Sequence, residues 1–129
     1  MEKNVNKAII HIEEKIKKGG LYVNINFDRE DKQLVVEITE EIDHHVAEKI
    51  RRKMDNEITR YMPRKILLDF NEVSFMDSAG IGLLIGRYKT SRLIGGTMEI
   101  VNATPAVKKV LEMSGVTRII KITEGQKIV

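Results

Sequence analysis

The chain has 129 residues, a formal net charge of +3, 42% hydrophobic and 32% charged residues, enough for one domain with a true apolar core. It contains no cysteine, which excludes a disulfide framework and thiolate metal ligands and fits a reducing cytoplasm. No apolar run reaches the roughly 18 residues that read as a membrane span, and residues 1–18 lack the continuous apolar core of a signal peptide. Basic and acidic residues are interleaved and aromatics make up only 5%, so neither nucleic acid nor a membrane is expected as a partner. The clusters Arg51-Arg52-Lys53 and Lys108-Lys109 read as solvated helix faces.

In chain order, Val5, Ala8, Ile9, Ile12 and Ile16 fall on one face of a helix over residues 4–18. Gly19-Gly20 ends it. Leu21, Val23, Ile25 and Phe27 then alternate with polar residues, as do Leu34, Val36 and Ile38, predicting an antiparallel hairpin. Asp43 is a candidate N-cap for a helix whose apolar positions are Val46, Ala47, Ile50, Met54, Ile58 and Tyr61, stopped by Pro63. The apolar run at 65–70 reads as a strand buried on both faces.

A second helix opens at Met76-Asp77-Ser78 and ends at Gly95-Gly96. Residues 98–101 form a strand. Thr104 as N-cap and Pro105 as first helical residue start a third helix, with Gly115 as its stop. Residues 116–122 read as the last strand. The class is therefore α/β: a mixed, mostly parallel sheet of about five strands with crossover helices, in the order ββαβαβαβ after an N-terminal amphipathic helix. The division expected is a helical extension over 1–20 and a single domain over 21–129.

Three places carry candidate chemistry. Ser78 lies at a strand-to-helix junction, where its hydroxyl can face solvent or cap the helix. Gly80, Gly82 and Gly86 each cost about 1 kcal/mol in a helix relative to alanine, which points to close approach, either of a partner's backbone or of the helix to its own sheet. Asp43, His44 and His45 form a polar group in which Asp43 either caps its helix or orients the Ser78 hydroxyl. Adjacent histidines on a helix point in different directions, unlike the i, i+4 spacing of metal ligands, so no metal is expected.

Enzyme readings fare poorly. Gly80-Ile81-Gly82-Leu83-Leu84-Ile85-Gly86 is GxGxxxG, one residue longer than a dinucleotide-binding turn, and lies inside a helix. Ser78 is not in a GxSxG turn, and all three histidines precede it, which excludes the Ser…Asp…His order of α/β-hydrolases. No cofactor, catalytic residue or enzymatic activity is expected.

The segment Phe75-Met76-Asp77-Ser78-Ala79-Gly80-Ile81-Gly82, continuing to Lys89, resembles the phosphorylation-site segment of anti-sigma factor antagonists of the STAS-domain type. Ile42-Asp43-His44-His45-Val46-Ala47-Glu48, Ile94-Gly95-Gly96-Thr97-Met98, Pro105-Ala106-Val107-Lys108-Lys109, Met113-Ser114-Gly115 and Ile119-Ile120 match further blocks of that family in order and spacing, over residues 33–123. The resemblance implies a partner-switching protein. Its unphosphorylated form binds an anti-sigma factor that is also a serine kinase, which frees a sigma factor. Phosphorylation at Ser78 ends the complex, and a serine phosphatase resets it.

The resemblance also implies a partner-binding surface at Asp43, His44, Asp77, Ala79, Gly80, Ile81 and Gly82. Ala79 departs from the family, which often has Ser or Thr there, and leaves Ser78 as the one acceptor in the motif. Residues 1–20 extend beyond the family pattern. Their apolar face could cover the sheet or pair with a second copy, so the competing expectation is a self-assembling scaffold of a stress-signalling complex.

Overall fold

The two alternating runs form strands at Leu21–Asp28 (β2) and Gln33–Ile38 (β3), antiparallel, with Ile25 opposite Val36. The computed structural model describes residues 9–16 and 21–125. Ile9–Ile16 is a further strand (β1), antiparallel to β2, with Ile16 opposite Leu21. The helix expected over 4–18 is thus corrected over Ile9–Ile16; the rest of that expectation, and the boundary at residues 19–20, lie outside the described residues.

Ile10, Ile12 and Ile16 also fit a period of two, and β-branched side chains favour strands. A neighbouring strand whose edge would otherwise go unpaired then decides between the two periods.

After β3 the chain alternates helix and strand: α1 (His44–Tyr61), β4 (Lys65–Asp69), α2 (Ser78–Leu93), β5 (Thr97–Val101), α3 (Pro105–Ser114), a 3₁₀ turn (Val116–Arg118) and β6 (Lys121–Thr123). Sequence order is spatial order, β1 through β6, and the pairs from β3 onward are parallel. The expected five-stranded sheet is present as β2–β6, with β1 added at its edge.

One apolar cluster joins the sheet residues Ile25, Val36, Leu68 and Ile100 to Ile50 and Ile58 of α1, Leu84 of α2 and Leu111 of α3. All three helices therefore cover the same face, and each fully buried aliphatic there contributes about 1.5–3 kcal/mol. The opposite face carries a small separate cluster of Val35, Leu67 and Val101.

The last strand is shorter than expected. Residues 116–118 make a 3₁₀ turn because the Arg118 N–H donates to the Gly115 carbonyl and the Ile119 N–H to the Val116 carbonyl, both at 3.1 Å, while Val116 and Ile120 are buried. Gly115, with φ +81°, supplies the left-handed residue that ends α3. Thr104 caps that helix as expected, its Oγ1 accepting from the Val107 N–H while donating to the Val73 carbonyl at 3.1 Å.

Candidate functional site

Two helix entrances are tied together by one short parallel bridge. The Ile42 N–H donates to the Phe75 carbonyl at 2.8 Å, and the Asp77 N–H donates to the Ile42 carbonyl at 3.2 Å. Ile42 and Met76 are both buried beneath it. The next residues on the two segments are the caps. Asp43 Oδ1 accepts from the Val46 N–H at 2.9 Å and opens α1; Asp77 Oδ1 accepts from the Ala79 N–H at 2.8 Å and opens α2. The positive ends of two helix dipoles thus lie side by side.

Ser78 is the first residue of α2 and is exposed. It is not the cap, because Asp77 holds that position. Its hydroxyl has no hydrogen-bond partner among the described residues. Asp43 caps α1, and no hydrogen bond joins it to Ser78. His44 and His45 are exposed, with their rings in edge contact at 5.8 Å.

A groove of about 280 Å³ runs from these entrances between α1 and α2. His44, Glu48 and Arg51 form one wall, Ala79, Gly82 and Arg87 the other, and Ala47 and Leu83 lie between. The glycines divide sharply. A Cβ at Gly80 would come within 2.1 Å of Met76 Cγ and 3.4 Å of Ile42 Cγ2, so Gly80 is explained by packing beneath the bridge. A Cβ at Gly82 or Gly86 would meet nothing within 4 Å. Gly82 is exposed on the groove. Ile81 and Ala79 are half-buried against the core.

Sequence reasoning missed the charged network of this groove. Arg87 is only 8% exposed, and its Nε lies 2.9 Å from Asp55 Oδ1 on α1. Arg51 bridges Asp55 at 3.4 Å and also Glu48. Burial pushes the Arg87 guanidinium below its usual range, with the Asp55 charge opposing. The hydrogen bond from Arg51 holds the Glu48 carboxyl below the usual value of 4.5. The within-helix pairs were visible as i, i+3 and i, i+4 spacings; the cross-helix pair was not.

With this geometry in place, the comparisons decide the family. The STAS domain model matches residues 23–126. The chain belongs to the STAS domain family. Its similarity runs to the anti-sigma factor antagonists within it. It is 37% identical to the anti-sigma F factor antagonist of Paenibacillus polymyxa over 93 residues, 72% of this chain and 80% of that one. The solved structure of the anti-sigma factor antagonist SpoIIAA in its unphosphorylated form superposes with a TM-score of 0.68 at 26% identity, covering 92% of this chain and 90% of that one. The phosphorylated form of the Bacillus cell fate determinant SpoIIAA gives a TM-score of 0.61 at 25% identity, covering 92% and 93%. No enzyme family emerges from these relatives, and no helix among the described residues is long and apolar enough to cross a membrane.

Proposed function

We propose that this STAS domain acts as an anti-sigma factor antagonist switched at Ser78. In its unphosphorylated form it binds an anti-sigma factor that is also a serine kinase, and a sigma factor is released. The kinase transfers the γ-phosphoryl group of ATP to Ser78 Oγ, ADP leaves, the hydroxyl proton passes to a base of the kinase, and the complex dissociates. A serine phosphatase hydrolyses the phosphoester and restores the binding form.

The observation that carries this reading is the setting of Ser78: an exposed hydroxyl with no partner among the described residues, at the first position of a helix already capped by Asp77. A helix N-terminus tolerates a phosphate, since free N–H groups and the dipole favour negative charge there. The fold is therefore unharmed by modification. A partner lying across Asp43, His44, Asp77, Ala79 and Gly82 must instead desolvate about −1.5 to −2 of charge, and the half-buried Asp77 carboxylate adds repulsion.

The test uses the cognate kinase and ATP. Wild type is expected to gain a single phosphate and Ser78→Ala none; phosphate on Ser78→Ala refutes the site. Ser78→Asp is expected to bind the kinase about thirtyfold more weakly or worse, the lower end of the loss when a buried charged contact is disrupted. Equal affinity refutes the charge mechanism.

A further inference from the structure

A second pocket, of about 250 Å³, lies at the far end of α2, where that helix meets β5 and β6. Its apolar surface comes from Met98, Tyr88 and Ile119, and Arg92 and Lys121 stand on its rim. The one carboxylate there, Glu99, is already engaged: Lys65 Nζ lies 3.1 Å from Oε2, and the Thr123 hydroxyl donates to Oε1 at 3.2 Å. Neither Arg92 nor Lys121 is held in an ion pair among the described residues. The charge of Lys121 acts on Glu99 without a close ion pair, and with Arg92 it leaves the apolar floor beside an excess of positive charge. Ile119, on its lining, is 48% exposed.

We propose that this pocket is a second docking site, for an acidic segment of a partner protein that inserts one aliphatic or aromatic side chain between flanking carboxylates. Charge complementarity selects the acidic flanks, and the Met98–Tyr88–Ile119 surface selects the inserted side chain. Tyrosine and arginine around an apolar depression is the composition of binding hot spots. A free inorganic anion could use the cations but not the floor.

The site is independent of the switch. Tyr88 and Arg92 lie ten and fourteen residues beyond Ser78 on one helix, about 15–21 Å along its axis. Exposed charges are largely screened beyond about 8–10 Å at physiological salt. A phosphate on Ser78 therefore leaves this pocket's field unchanged, and an acidic partner stays bound through the phosphorylation cycle. The inference does not rest on the reading of Ser78.

The experiment titrates the full chain into a fluorescein-labelled peptide of aspartates and glutamates around a central leucine, read by anisotropy. Backbone amide shifts of the unlabelled complex locate the contact. Saturable binding is expected, with shifts at residues 88–92, 97–99 and 119–121. It is expected to weaken at least tenfold for the Arg92→Glu/Lys121→Glu double variant and for a peptide with serine in place of leucine. Lys109→Glu and Ser78→Asp are expected to stay within twofold of wild type. A melting temperature unchanged in the double variant separates lost binding from lost fold. The proposal is overturned by equal affinity of wild type and double variant, by equal affinity of the serine peptide, or by no saturable binding. It is also overturned if phosphatidylserine vesicles, and not the peptide, distinguish the two proteins, which makes the patch a membrane-surface contact.

Discussion

Gly80 and Gly82 stand two residues apart on α2 and face opposite demands. At Gly80 a methyl group meets Met76 Cγ and Sδ, both part of a side chain that is itself buried. Gly80→Ala is expected to destabilise the domain by about 1–3 kcal/mol, the usual cost of overpacking, seen as a lower urea midpoint at unchanged m-value. Gly82→Ala meets open space and removes a helix-weakening residue, so it is expected to raise stability by up to about 1 kcal/mol. The same methyl group enters the groove beside Ala79 and Arg87 and is expected to weaken binding to the kinase. Calorimetric melting and a binding titration on one variant separate the two effects. A Gly82→Ala protein that is more stable and binds as well as wild type removes the groove from the partner surface.

At the scale of elements, the legible parts of the sequence were those where one local signal had no rival. Asp43, Thr104-Pro105 and Gly115 mark helix ends by chemistry that no strand offers, and each sits where expected. Ile9–Ile16 carried both a helical and an alternating pattern, and only pairing with β2 selected the strand. Ser78 was legible as a junction residue, but its neighbour Asp77 took the cap, which frees the hydroxyl for other work.

The contact between α1 and α2 was illegible because Asp55 and Arg87 are 32 positions apart by their numbering and meet only in the folded chain. That pair is expected to hold the two walls of the groove together. In a double-mutant cycle with Asp55→Asn and Arg87→Met, a coupling of about 0.5–3 kcal/mol is expected, as for contacting charged residues. A coupling indistinguishable from zero means that apolar packing alone sets the helix spacing.

At the scale of the whole molecule, the two sides of the sheet divide the labour. The helix-covered side holds nearly all of the apolar core and carries Ser78 at one end of α2, while the pocket towards the other end of that helix draws Met98 from this side and Glu99 and Lys121 from the opposite one. The opposite side holds polar cross-strand links: Asn24 Nδ2 donates to Glu37 Oε1 at 2.8 Å, and Lys65 pairs with Glu99 across β4 and β5.

The Lys65–Glu99 link makes stability depend on acid. Partial burial raises the Glu99 carboxyl pKa, but the hydrogen bond and charge of Lys65, with the Thr123 hydroxyl, outweigh it and leave the group below its usual 4.5. Glu48 is lowered too, by Arg51. A carboxyl depressed in the folded state binds protons less readily there than in the unfolded chain. Its contribution is complete above the unfolded pKa of about 4.5 and is lost as pH falls through the lower folded value. Urea stability is therefore expected to be flat in these groups from pH 7 to about pH 5 and to decline below about pH 4.5. Glu99→Gln is expected to lose stability at pH 7 and to show a shallower acid decline than wild type, because one of the protons taken up on unfolding is gone. Parallel acid profiles for the two proteins refute a role for the β4–β5 ion pair in that decline and leave it to Glu48 and other carboxylates.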